Sequence, residues 1–122
     1  MALILVVDDE EPIRNLIQQT LESVGHEVFQ AANGLEALES QKRKPADVIF
    51  MDIIMPEKEG IETIMEIRRK FPETRVIAMS GVGLDSPYLV MAKQLGADIT
   101  LDKPFSTTEI IEKVHQLLTK DS

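Results

Sequence analysis

The chain has 122 residues, fewer than the roughly 150 usual for one domain, so a single domain spanning residues 1–122 is expected. Its 13 Lys and Arg against 21 Asp and Glu leave a net charge of −8, which excludes a grip on nucleic-acid phosphates as the main activity and argues against an anionic membrane surface. There is no cysteine, hence no disulfide framework and no thiolate metal site, and the longest apolar run, Leu3–Val7, is far too short to span a bilayer.

In chain order, five short runs read as strands: Leu3–Val7, Glu27–Ala31, Val48–Met51, Arg75–Met79 and Asp98–Leu101. The first, third and fourth are nearly continuous in apolar residues, the pattern of central strands buried on both faces. The second and fifth are more polar, which suits sheet edges. No basic residue precedes the first run, so it does not read as a secretory signal, and a cytoplasmic location is expected.

Helical patterns separate these runs. The first has Pro12 in its first turn, a stripe of Ile13, Leu16, Ile17, Leu21 and Val24, and Gly25 at its end. The second opens on Asn33, with Glu36 three residues on, a variant of the capping box. The third carries Ile61, Ile64, Met65 and Phe71 and stops at Pro72. The fourth follows Ser86-Pro87 with Leu89, Val90 and Ala92, and stops at Gly96. The fifth begins with a full capping box, Ser106 to Glu109, and presents Ile110, Ile111, Val114, Leu117 and Leu118 on one face.

Strand and helix alternate five times, which predicts an α/β fold: a five-stranded parallel sheet with helices on both faces. Right-handed crossovers leave few topologies, and the flavodoxin-like order 2-1-3-4-5 suits five units. Ligands then bind at the carboxyl ends of the strands. Those ends carry chemistry. The first run leads into Asp8-Asp9, the third into Asp52, the fourth into Ser80-Gly81 and the fifth into Asp102-Lys103-Pro104. Carboxylates gathered in one pocket repel, and burial sharpens the repulsion. A hard divalent cation such as Mg²⁺, held by carboxylate and carbonyl oxygens, relieves it. Lys103 adds a compact positive charge, and Ser80 a hydroxyl. Together the parts describe a phosphoryl site with a nucleophilic carboxylate, a metal, an ammonium and a hydroxyl donor. Any one of these residues alone reads as an ordinary turn or cap, Asp9 included. The set, in order along four strand ends, does not.

The same residues carry a resemblance to the receiver domains of two-component response regulators. It rests on Val7-Asp8-Asp9-Glu10, on Phe50-Met51-Asp52-Ile53-Ile54-Met55-Pro56, on Ser80-Gly81 and on Asp102-Lys103-Pro104-Phe105. Asn33-Gly34-Leu35-Glu36-Ala37-Leu38 and Gly96-Ala97-Asp98 resemble receiver phrases as well, so the likeness covers essentially the whole chain.

The resemblance implies a phosphorylation-activated switch. Asp52 would accept a phosphoryl group from a histidine kinase, a phosphotransfer protein or a small phosphodonor. Asp9, Asp52 and the backbone carbonyl of Ile54 would bind Mg²⁺, and Asp8 would orient a metal-bound water. Ser80 and Lys103 would contact the phosphoryl oxygens, and the peptide bond before Pro104 would be cis. Drawing Ser80 inward would pull the glycine-containing loop from Gly81 to Leu84 and remodel the fourth helix, fifth strand and fifth helix for a partner. Such a protein is not an enzyme beyond its own phosphoryl transfer and dephosphorylation. No effector domain follows the fifth helix in this sequence, so the output would be a separate protein target or an effector domain elsewhere. Direct nucleic-acid or membrane binding is not expected.

The sequence departs from the family in two places. Three residues before the lysine, where receivers usually carry Tyr or Phe, stands Thr100. No aromatic ring can report the phosphoryl state there, so transmission falls to Ser80 and its loop. The positions two beyond Asp52 and two beyond Ser80 are Ile54 and Val82, both apolar, which predicts a poorly hydrated phosphoryl group and slow self-hydrolysis. Two other functions are compatible with parts of the pattern. A Mg²⁺-dependent aspartyl-phosphate hydrolase of haloacid dehalogenase type needs Asp-x-Asp after its first strand, which Asp8-Asp9-Glu10 does not supply. A phosphorylation-independent docking module would not need all the site residues. The remaining features read plainly: His26 and His115 have no second ligand at useful spacing, the Met residues suit core gaps, Lys42-Arg43-Lys44 suits a solvated helix end, and Tyr88 suits a half-exposed place on the fourth helix.

Overall fold

Short runs of four to six residues bounded by turn residues become strands, and the computed structural model, which describes residues 1–53, 59–81 and 87–119, pairs them in parallel. The strands are β1 (Leu3–Val7), β2 (Glu27–Ala31), β3 (Val48–Asp52), β4 (Arg75–Ser80) and β5 (Ile99–Asp102). Between and after them run α1 (Glu11–Glu22), α2 (Gly34–Arg43), α3 (Glu59–Lys70), α4 (Pro87–Leu95) and α5 (Thr107–Thr119). The sheet order is β2-β1-β3-β4-β5, as the alternation predicts, with the two polar strands at the edges.

Alternate residues of each strand feed two cores. Leu5, Val7, Ile49, Met51, Val76 and Ala78 face Ala37, Ile64, Ile67 and Ala92 of α2, α3 and α4. Ile4, Val6, Val48, Phe50, Ile77 and Met79 face Ile17, Leu21, Ile110, Val114 and Leu117 of α1 and α5. Burial on both faces is why β3 and β4 read as unbroken apolar runs.

The helices bury narrower stripes than their periodicity suggests. In α1, Ile17, Thr20 and Leu21 face the sheet, whereas Leu16 and Val24 are exposed. The helix also stops at Glu22, and Gly25, at φ +96°, belongs to the turn beyond it. Met65, Val90 and Leu118 are exposed too, because only the line of a helix nearest the sheet is covered. Met51 and Met79 fill the core as expected, but Met1, Met65 and Met91 do not. The Ser106–Glu109 capping box forms in full, whereas at α2 Asn33 caps the helix but Glu36 reaches one residue past Asn33, to Ala32. Asn33 Oδ1 accepts from Glu36 N at 2.9 Å, and Glu36 Oε1 accepts from Ala32 N at 2.8 Å. Ser106 Oγ accepts from Glu109 N at 3.1 Å, while Glu109 Oε1 accepts from Ser106 N at 3.0 Å.

Two polar clusters at the amino ends of the strands lock the layers. Buried Gln41 accepts from Ala46 N at 2.6 Å and donates to Thr74 Oγ1 at 3.2 Å, and Thr74 donates to Ala46 O at 2.9 Å. On the other side, Arg68 donates to Gly96 O at 2.8 Å and 3.1 Å and to Asp98 Oδ2 at 2.9 Å. Gly96 has φ +142°, and a Cβ there would lie 3.1 Å from Arg68 Cβ, so the residue ending α4 has to be small.

His26 has a structural role. Its Nδ1 accepts from Ala2 N at 3.0 Å, which requires the ring nitrogen to be unprotonated. Burial, and after it the charge of the amino terminus, lower its pKa from the ordinary value. The unfolded chain therefore takes up a proton more readily than the folded one, near pH about 6.5. That stabilisation is complete above this range and is lost as pH falls through it. The melting temperature should drop between pH about 7.5 and 5.5, and His26→Asn, which keeps an acceptor, should flatten that dependence.

Candidate functional site

The carboxyl ends of β1, β3, β4 and β5 converge, and each delivers the residue that follows its apolar run. Asp8 is fully buried just past β1, where its amide donates to Ala31 O at 3.2 Å. Its Oδ1 accepts from Glu10 N at 2.9 Å, which bends the chain into α1. Arg14, one turn into α1, donates to Asp8 O at 2.8 Å and holds the same turn from outside. The amino cap of α1 is Glu10, with no side-chain bond, so Asp9 does not act as the cap. Asp9 is exposed instead.

Asp52 ends β3 and is 2 % exposed. Ile53 N donates to Met79 O at 3.0 Å, carrying the β3–β4 ladder one residue past Asp52. Ser80 ends β4, wholly buried and in register with Asp102 of β5. Lys103 N donates to Ser80 O at 2.8 Å, and the Lys103–Pro104 bond is cis, as the resemblance implies.

Lys103 reaches back across the sheet. Its Nζ lies 2.8 Å from Asp8 Oδ2, 3.6 Å from Asp52 Oδ2 and 3.6 Å from Glu10 Oε1. Burial disfavours the ammonium, but the hydrogen bond to Asp8 and the charges of Asp52, Asp8 and Glu10 together outweigh it, and its pKa is raised from the ordinary value. Lys103 is therefore a fixed positive charge at neutral pH.

Among the described residues, Asp8, Asp9, Glu10 and Asp52 stand in this region with Lys103. Carboxylate oxygens of Asp8, Asp9 and Glu10 lie within 4.8 Å of one another. A set of hard oxygen donors at this spacing, in excess of the nearby positive charge, fits a small divalent cation rather than a soft metal. Glu10 was not singled out as a site residue from sequence; its place three residues past β1, on a helix-entry turn, is the signal that could have found it.

Gly60 was also missed. A Cβ on it would stand 2.3 Å from Asp52 O and 2.7 Å from Ile53 Cα, so the first turn of α3 lies directly on the backbone that carries Asp52. A glycine in the first turn of an otherwise good helix is the sequence signal for such a contact. Thr100 sits opposite Ala78 on β5, half-buried, on the α4 side of the sheet. Ile54 and Val82 lie outside the described residues, as do most of the Gly81–Leu84 loop and the side chain of Tyr88. His115 is exposed, as expected, and so is the Lys42-Arg43-Lys44 run.

Residues 4–115 match the response regulator receiver domain. The chain belongs to that family. Among solved structures, NtrX from Brucella abortus in complex with ADP is 33 % identical with a TM-score of 0.89, covering 98 % of this chain and 26 % of NtrX. This receiver thus spans about a quarter of the length of that relative. The chemotaxis protein CheY4 of Vibrio cholerae is 32 % identical with a TM-score of 0.88, over 96 % of this chain and 98 % of CheY4. The receiver domain of DrrB, solved as activated by BeF3, is 27 % identical with a TM-score of 0.86, over 97 % of each chain. Among the described residues of this receiver, no helix is long and apolar enough to cross a membrane.

Proposed function

We propose that this receiver is a phosphorylation-activated signalling switch that takes a phosphoryl group onto Asp52 with the help of Mg²⁺. The observation that supports this reading most directly is the placement of Lys103 between Asp8 and Asp52, 2.8 Å from one and 3.6 Å from the other. Asp52 is the acid best suited to be the nucleophile. It is 2 % exposed, lies at a strand end, and has an ammonium beside it to meet the incoming charge. The donor would be a phosphohistidine of a histidine kinase, a phosphotransfer protein or a small acyl phosphate. A cytoplasmic setting follows from such a donor.

Asp9 and Asp52 would hold the metal directly, with the Ile54 carbonyl, and Asp8 would hold it through water. Glu10 lies close enough to Asp8 and Asp9 to tune that site. When bound, Mg²⁺ neutralises charge on the phosphoryl oxygens and aligns the group with the carboxylate. The protein's own contribution is positional. Lys103 stays protonated and pairs with the new oxygens, and the Ser80 hydroxyl turns toward them. An acyl phosphate with about two negative charges then stands beside Asp8, and Lys103 shifts from the acid toward the phosphoryl group. Because Lys103 N is bonded to Ser80 O, the ends of β4 and β5 respond together. With Thr100 in place of an aromatic ring, that pair is the route to the α4 and α5 surface. The output is a partner protein or an effector domain, not a reaction on a separate substrate.

Incubation with acetyl phosphate and Mg²⁺, followed by intact mass measurement, tests the reading. One phosphoryl group per chain is expected. Turnover of many phosphoesters would instead support a hydrolase, and absence of any adduct a docking module. The lifetime of the adduct is a further expectation: apolar Ile54 and Val82 should keep attacking water out, so decay should be slow. Ile54→Asn should accelerate it roughly tenfold or more by positioning a water. Rapid decay in the unaltered chain, unchanged by that substitution, would refute this part.

A further inference from the structure

β2 is an edge strand, and its phase is fixed by two bonds. Glu27 N donates to Ala2 O, and Asp8 N donates to Ala31 O. Residues 27, 29 and 31 therefore turn their backbone groups toward β1, whereas Val28 and Gln30 turn theirs to the open edge. A groove of about 460 Å³ runs beside this edge. Its floor is Phe29, 38 % exposed, and its wall is one face of α2, Glu36, Glu39 and Arg43, with Lys44 at the end. Lys44 Nζ stands 5.5 Å from the centre of the Phe29 ring. Helix α2 runs opposite to β2, so the acidic end of the groove lies at the carboxyl end of the strand and the basic end at its amino end.

We infer that this edge binds the β2 edge of a second copy of the chain, antiparallel about a two-fold axis through Phe29. The register is dictated by the backbone. The outward residues Val28 and Gln30 of one copy face Gln30 and Val28 of the other, and each pair exchanges two hydrogen bonds. Phe29 then faces its own counterpart in a close, non-hydrogen-bonded pair, where aromatic contacts across strands are favourable. The same rotation lays the acidic end of each groove, Glu36 and Glu39, against Arg43 of the other, at the end where Lys44 pairs with Glu27 of its own chain at 3.4 Å. A charge order that is self-complementary under a two-fold axis is what a second copy needs and a generic peptide does not. The result joins two five-stranded sheets into one and removes an exposed edge.

Because the sequence contains no cysteine, Phe29→Cys places a single thiol on the axis. Facing residues of a non-hydrogen-bonded pair lie about 4.5 Å apart at Cα, within the reach of a disulfide. Under mild oxidation Phe29→Cys should convert to a covalent dimer, and Leu35→Cys, on an exposed part of α2, should cross-link at least roughly tenfold more slowly. Sedimentation of the unaltered chain should show a monomer–dimer equilibrium. Arg43→Glu should weaken it about fivefold or more, and Glu39→Arg combined with Arg43→Glu should restore it. A chain that stays monomeric at millimolar concentration, or a Leu35→Cys that cross-links as fast as Phe29→Cys, would overturn the inference. In the first case the edge would be left to a strand from another protein.

Discussion

Asp52→Asn is expected to abolish phosphoryl uptake from acetyl phosphate while leaving the fold intact. An amide has no anionic oxygen to attack phosphorus and is a poor ligand for a hard cation, so both proposed roles of the residue are lost together. The chain should then gain no mass in the presence of Mg²⁺. The same substitution removes one of the three carboxylates, Asp8, Glu10 and Asp52, that stand within 4 Å of Lys103. In metal-free buffer the melting temperature should consequently hold or rise, since repulsion among buried acids is relieved. Mg²⁺ should stabilise the unaltered chain more than the variant, by mass action on a weakened site. Retained phosphorylation in Asp52→Asn would move the acceptor to another acid, and a large loss of stability would show that Asp52 is mainly a structural partner of Lys103.

Gly60→Val should be the most damaging single change to stability among the residues that support the site. The added Cβ meets Asp52 O at 2.3 Å and Ile53 Cα at 2.7 Å, and both are main-chain atoms that no rotamer change can move aside. Relief requires α3 to back away from β3, which strips contacts from Ile61, Ile64 and Ile67 in the core beneath. Overpacking of this kind costs about 3 kcal/mol or more, well above the gain of roughly 1 kcal/mol from replacing glycine in a helix. Gly60→Ala should fall in the same direction, because it places the same atom. Chemical denaturation measures the loss, and phosphoryl uptake by Gly60→Ala at a temperature where it remains folded should also be slower, since Asp52 rides on the displaced backbone. A Gly60→Ala chain as stable as the original would show that the helix can shift without cost.

The strands and the helix caps were legible because they depend on local pattern, and the sheet order followed from the alternation of strand and helix joined by right-handed crossovers. Continuous apolar runs report burial on two faces, and Ser106 with Glu109, or Asn33 with Glu36, satisfy backbone groups within one turn. Leu16, Val24, Met65 and Leu118 were misjudged for a related reason. Periodicity locates an apolar stripe but not how wide a band of it the neighbouring layer covers, and the sheet covers only the nearest line. Gln41 with Thr74 and Arg68 with Gly96 are pairs 33 and 28 residues apart, and no local pattern announces which distant carbonyl a buried side chain will meet.

The candidate site divides in the same way. Which acids, which hydroxyl and which lysine stand at strand ends followed from the sequence alone, because a parallel α/β sheet places all carboxyl ends on one side. Only the tertiary structure decided that Lys103 bonds Asp8 more closely than Asp52, that Glu10 joins the acids, and that Gly60 presses on the Asp52 backbone. Those outcomes turn on separations of about an ångström between segments far apart in the chain, and such separations are set by how the layers pack rather than by the order of residues within any one of them.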